Sequence, residues 1–204
     1  PGERVRLRII NASAMTIFNV RMPGAPMTIV AADGLNVQPL TVDEFQMGVA
    51  ETYDVIVQPD SGDAIPFVAE SIDRSGQVVA TFGPEPGMRA TPPKLRSVPT
   101  LSMKDMGMDH GEGGHANMSS MDHSGHHVPE HSGHAVASDW PIASRPMKKG
   151  VGVANVAMGP ASRLHEPGLG LENVDHRVLR YSDLRSLDRN PDLRPPEREL
   201  EIHL

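Results

Sequence analysis

Apolar and polar residues alternate through the first part of the chain. In residues 2–11, GERVRLRIIN, Val5, Leu7 and Ile9 alternate with Arg4, Arg6 and Arg8, the two-residue period of a half-buried strand. Asn11, Ala12 and Ser13 break that period. Phe18, Val20 and Met22 form a second alternating set, stopped by Pro23-Gly24. Residues 27–32 are a short apolar run closed by Asp33-Gly34. Phe45, Met47 and Val49 alternate next. Tyr53, Val55 and Val57 follow beyond the Ala50-Glu51 step and stop at residues 59–62, PDSG. Residues 66–72 and 77–82 make a last pair around 73–76. About seven short strands at roughly ten-residue spacing, with no helical period between them, predict an antiparallel sandwich or barrel. Met15, Met22, Met27 and Met47 occupy strand positions in this pattern and are assigned to filling its core.

After Phe82 the alternation stops. Residues 83–99 are rich in Pro, Gly and charge and read as the exit from the β domain. Residues 143–173 stay rich in Pro and Gly; His165 and His176 stand alone and are read as non-ligands. Residues 178–187, VLRYSDLRSL, predict a short helical turn with Ser182 or Asp183 as its cap. Leu200, Ile202 and Leu204 alternate with Glu199, Glu201 and His203, a new strand read as the opening of another domain. The chain begins with Pro1 and ends within that alternating run, so it is read as an internal piece of a longer protein.

The stretch that cannot be written into a core is residues 103–134. It holds seven of the ten histidines and five of the twelve methionines, and Val128 alone among Val, Leu, Ile and the aromatics. Too little apolar surface is present to offset the entropy of ordering the chain, so disorder is expected. What it offers is ligand atoms. Imidazole suits Cu, Zn and Ni, while thioether sulfur is a soft donor that suits Cu(I), so the mixture favours copper over zinc or nickel. The candidate ligands are Met103, Met106, Met108, His110, His115, Met118, Met121, His123, His126, His127, His131 and His134. MDHG at 108–111 returns as MDHSGH at 121–126 and as EHSGH at 130–134, a repetition of ligands with no apolar period behind it. Trp140, just beyond, reads as an anchor packed on a neighbouring domain.

Composition adds exclusions. A formal net charge of −7 with scattered basic residues excludes nucleic acid as a partner. With no cysteine, neither a disulfide nor a thiolate site can form in this sequence. No apolar run approaches the ~18 residues that span a bilayer, and no signal peptide is present.

Several segments resemble a known family. GERVRLRIINAS at 2–13, VAADG at 30–34 and AETYDVIVQP at 50–59 resemble the second cupredoxin domain of a multicopper oxidase. PMTIVAADG at 26–34, VDEFQMGVAETYDVIV at 42–57, FVAESIDRSG at 67–76 and the Met/His stretch resemble its bacterial copper-resistance branch, the CopA/PcoA type. RVLRYSDLRSL at 177–187 and RELEIHL at 198–204 resemble the lead into that family's third domain.

The resemblance implies an all-β fold, a cupredoxin-like Greek-key β-sandwich or barrel followed by a largely disordered Met/His-rich linker. The implied domains are 1–96 (cupredoxin-like, without its own copper site), 97–150 (metal-binding linker) and 151–204 (connector and first strand of the third domain). It further implies a periplasmic enzyme in which one copper takes electrons from substrate, Cu(I) included, and a trinuclear cluster reduces dioxygen to water. In that family the catalytic coppers are held by the first and third domains, which become the implied partners of this one. The sequence contains no HxH pair and no HCH run, so no catalytic residue is assigned. Two alternatives remain at this point: a non-enzymatic copper-buffering protein on a β-sandwich scaffold, and a His-rich zinc or nickel store.

Overall fold

The computed structural model describes residues 2–60, 62–102, 105, 151 and 163–195. The Met/His stretch past Asp105, Trp140 and the alternating run at 200–204 therefore lie outside the described residues. By its contacts the chain divides into two units, residues 1–99 with 164–204, and residues 100–163.

The alternating segments of the first unit become eight strands: β1 (Val5–Ile10), β2 (Phe18–Arg21), β3 (Met27–Ala32), β4 (Leu35–Val42), β5 (Glu44–Met47), β6 (Thr52–Val57), β7 (Ile65–Ser71) and β8 (Gln77–Phe82). They form two four-stranded antiparallel sheets, one ordered β1-β6-β3-β4 and the other β5-β2-β7-β8. The fold class is all-β, as the alternation predicts.

The inner faces supply the core predicted by the two-residue period. Val20, Met27, Ile29, Val42, Phe45, Met47, Val55 and Val57 are all buried there. Phe45 and Tyr53 meet across the two sheets with ring centroids 4.7 Å apart. Burial, followed by the nearby Glu51, raises the Tyr53 pKa and keeps its hydroxyl neutral. Met22, Met27 and Met47 fill this core as expected, but Met15 is 88% exposed. Met15 lies in the β1–β2 loop rather than a strand. That loop is fixed by the buried Asn11 amide, which donates to the carbonyls of Thr16, Met47 and Gly48.

One strand escaped the pattern. β4, LNVQPLTV, carries Asn, Gln and Pro39 and shows little alternation. It survives at a sheet edge, where a residue without an N–H is tolerated. Its register is set by the two-residue Asp33-Gly34 turn, both residues at positive φ (47° and 78°), the conformation a tight hairpin needs.

The chain returning from the donor-rich stretch finishes the domain. The Asp43 and Glu44 amides donate to the Arg177 carbonyl, and the Leu179 amide donates to the Glu44 carbonyl, extending the β5 edge. Gln38 N–H then donates to Arg185 O, and Leu187 N–H to Asn36 O, along the β4 edge. Two open strand edges are thereby covered. The predicted helical turn is a 3-10 turn at Tyr181–Asp183, where the Asp183 carboxylate accepts the Arg180 amide.

Candidate functional site

Strand alternation puts Asn19 and Arg21 of β2, Glu44 and Gln46 of β5 and Glu70 of β7 on the face of their sheet opposite the core. Such a face normally meets water. Here Asn19, Glu44 and Glu70 have no exposed surface. The segment departing for the Met/His stretch and the segment returning from it both reach this face, and they carry the counter-charges.

Arg96 is the centre. Its Nη1 and Nη2 donate to the two oxygens of Glu44 at 3.0 and 2.6 Å. Its Nε donates to Glu70 Oε2 at 2.7 Å, and its backbone N–H to Glu70 Oε1 at 2.9 Å. Arg74, in the β7–β8 turn with a left-handed φ of 61°, donates from Nη1 to Glu70 Oε2 at 2.8 Å and from Nη2 to the Gly170 carbonyl at 3.2 Å. From the returning side, His176 Nε2 lies 2.7 Å from Glu44 Oε2. A carboxylate only accepts, so this nitrogen carries the hydrogen.

Leu171, buried at 1% exposure, belongs to the same returning segment. Gly168 and Gly170 let that segment come close. A Cβ on Gly168 would lie 2.5 Å from the Gln46 side chain, and one on Gly170 2.8 Å from Arg74 Nη2. Gly170 also needs its positive φ of 76°.

The charges answer to this geometry. Burial pushes the Glu70 carboxyl up, but the hydrogen bonds and charge of Arg96, with Arg74 behind them, outweigh it and hold the pKa below the usual value. Arg96 loses by burial and gains more from Glu44 and Glu70, so its pKa rises. Arg74 is lowered, first by burial and then by the neighbouring Arg96. His176 also walls a cleft of about 350 Å³ with Arg21, Met22 and Asp43.

In the second unit, Asp105 accepts the Ser102 hydroxyl and backbone N–H, both at 2.7 Å, and Arg163 Nη1 at 2.5 Å. The Ser102 bonds, followed by Arg163, bring its pKa down to about 2.

The twelve ligands proposed from sequence, Met103, Met106, Met108, His110, His115, Met118, Met121, His123, His126, His127, His131 and His134, all lie outside the described residues. Among the described residues no group of three or more His, Cys, Asp or Glu is arranged to hold a metal ion. His165 is exposed, and His176 is engaged with Glu44. Sequence reasoning missed the buried charges. One signal was available: Glu70 follows IPFVA, a run apolar on both faces, where a charge requires a partner.

Comparison with known proteins finds relatives of the whole chain. The multicopper oxidase family model matches residues 1–80. Over its whole length the chain is 43% identical to the copper resistance protein A homolog of Pseudomonas syringae pv. tomato, covering 37% of that protein. It is 41% identical over its whole length to copper resistance protein A of Escherichia coli, covering 38% of it. The laccase structure from Botrytis aclada aligns over 48% of this chain and 20% of its own, at 22% identity and a TM-score of 0.42. The chain thus spans little more than a third of the curated relatives it matches, and along its whole length it is similar to a segment of the copper resistance protein A branch of multicopper oxidases.

Proposed function

We propose that this chain is part of a periplasmic copper-resistance oxidase that couples oxidation of substrate, Cu(I) among them, to reduction of dioxygen to water. In this reading the Met/His stretch captures copper for the enzyme. The observation that supports it is the whole-chain likeness to copper resistance protein A combined with the density of thioether and imidazole donors at 103–134. Among the described residues no helix is long and apolar enough to cross a membrane.

The described residues do not fit the catalytic coppers of the family. Their imidazoles are His165 and His176, and they include no cysteine. No reaction step is assigned to them. The proposed roles are those of a frame, with the first and third cupredoxin domains of the same polypeptide as partners, and of a capture segment. Soft thioethers hold Cu(I), and imidazoles hold the Cu(II) produced. A donor segment tethered beside an oxidase raises the ion's effective concentration there.

Deleting residues 103–134 from the full-length protein tests the reading. Oxidation of small organic substrates should persist while copper tolerance falls. Equal loss of both would overturn it. The donors separate by pH, because imidazole must be neutral to bind and thioether does not titrate. Cu(I) affinity, measured against a competing chelator, should change little between pH 7 and pH 5, and Cu(II) affinity should fall.

A further inference from the structure

The buried charges of the β5-β2-β7-β8 sheet do not balance. Arg21 of β2 lies directly across the ladder from Glu44 of β5. Both oxygens of Glu44 are already committed to Arg96 and His176. Glu70 is committed to Arg96 and Arg74. Three guanidiniums thus share two carboxylates, and Arg21 is the one left over. Its Nε is buried and has no hydrogen-bond partner among the described residues. A buried donor without an acceptor is costly, and a guanidinium offers a planar fork that fits an oxyanion. The surplus charge is felt locally: the Arg74 pKa is lowered first by burial, then by Arg96, and by Arg21 as well.

Arg21 also walls a cleft of about 350 Å³, a size within the range of small-ligand sites. Its other walls come from the same unit of the chain and are held in place. Met22, Pro23 and Pro26 give an apolar side. Their turn is closed by the Ala25 amide on the Met22 carbonyl at 3.0 Å, and the two prolines stiffen it. The His176 ring is pinned by its bond to Glu44. Asp43 completes the cleft, with its carboxylate accepting the Arg177 amide at 2.9 Å and its own amide donating to the Arg177 carbonyl at 2.9 Å. Walls fixed beforehand lose little freedom when a ligand enters.

We infer that this cleft binds a small monocarboxylate with a short hydrocarbon body, its carboxylate on Arg21 and its body against Met22, Pro23 and Pro26. One negative charge matches the one surplus guanidinium. Asp43 on the opposite wall repels a second, so dicarboxylates and phosphate are disfavoured. The site stands apart from the Met/His stretch and from the copper-capture reading.

Equilibrium dialysis of the full-length protein at neutral pH against butyrate, butyramide and succinate is the test. Butyramide keeps the shape without the charge and should bind about tenfold or more weakly than butyrate. Succinate keeps the length and adds a charge, and should bind at least about threefold more weakly than butyrate. Arg21→Met should bring butyrate down to the level of butyramide, and Arg21→Lys, which keeps the charge without the fork, should restore part of the difference. Asp43→Asn keeps an acceptor for the Arg177 amide, so it should lift succinate towards butyrate and leave butyrate nearly unchanged. Should Arg21→Met fail to fold, Arg21→Lys and Asp43→Asn carry the test by the same two shifts. Butyrate binding that is absent, no better than that of butyramide, or the same without the Arg21 guanidinium overturns the site. Succinate or inorganic phosphate held more tightly than butyrate overturns its assignment to a monocarboxylate.

Discussion

The two sheets place charged residues on equivalent outward positions and treat them in opposite ways. On the β1-β6-β3-β4 sheet, Arg6 and Arg8 of β1 flank Asp54 of β6, at 2.5 and 3.5 Å, with the arginine side chains 48% and 75% exposed. On the β5-β2-β7-β8 sheet, Glu44 and Glu70 sit at comparable strand positions with no exposure, roofed by Arg96 and the Leu171 segment. The alternating code is the same. The difference is a covering layer supplied by chain far away in sequence. Water screens the first set, whereas the second set has traded hydration for partners. Charge on an outward strand position is therefore not a statement about solvent until the rest of the chain has been placed.

The comparison breaks most readily at Arg96. Arg96→Met keeps the aliphatic stem and removes the guanidinium that answers both buried carboxylates. Stripping one partner from a buried ion pair costs about 3–5 kcal/mol, and with Arg74 left on Glu70 and His176 on Glu44 the low end of that range is expected. Urea unfolding should show that loss as a lower midpoint at unchanged slope. A loss under about 1 kcal/mol would mean that the covering layer is not closed in solution and that both sheets resemble each other after all.

Acid sharpens the contrast. In the unaltered protein the Glu70 pKa is depressed by Arg96 and Arg74 against the pull of burial. A depressed carboxylate contributes stability that is present above its unfolded value, about 4.3, and lost as pH falls through the folded one. The wild-type protein should therefore lose stability on acidification below about pH 4. In Arg96→Met, Glu70 loses the guanidinium's hydrogen bond and charge but keeps the backbone N–H of residue 96 and Arg74, so its carboxyl is depressed less than in the unaltered protein. Less of the stability then depends on that ionised carboxylate, so the penalty of the substitution should shrink as pH falls through the same window. Unfolding curves of both proteins between pH 3 and pH 7 check this. Parallel pH profiles would show that Arg96 does not govern Glu70.

Much of the frame was legible because it depends on local period. Seven strands, the Asp33-Gly34 turn and the buried Met22, Met27 and Met47 all follow from alternation and turn chemistry. β4 was not legible, because an edge strand does not need the pattern that a central strand needs. Met15 was misread for the complementary reason: its sequence neighbours suggested a strand, while Asn11 ties that segment into a loop. The site was illegible for a third reason. Glu44 finds Arg96 and His176 across separations that no periodicity encodes. Only Glu70, at the end of an apolar run, hinted that something must cover it. The proposed copper donors are the reverse case, plain in composition and outside the described residues.

The smallest effect is expected on the exposed sheet. Arg6→Ala removes the nearer partner of Asp54, whose side chain keeps 17% of its surface in water. Arg8 stands directly across the ladder from Asp54 and remains to offset its charge. Exposed pairs of this kind contribute about 0–1 kcal/mol, since solvent and salt already answer most of the charge. The substitution should therefore shift the urea midpoint barely, and less still in added salt. A loss of more than about 2 kcal/mol, insensitive to salt, would place Asp54 in the same class as Glu44 and imply that the outer face of β1 and β6 is also covered in the intact protein.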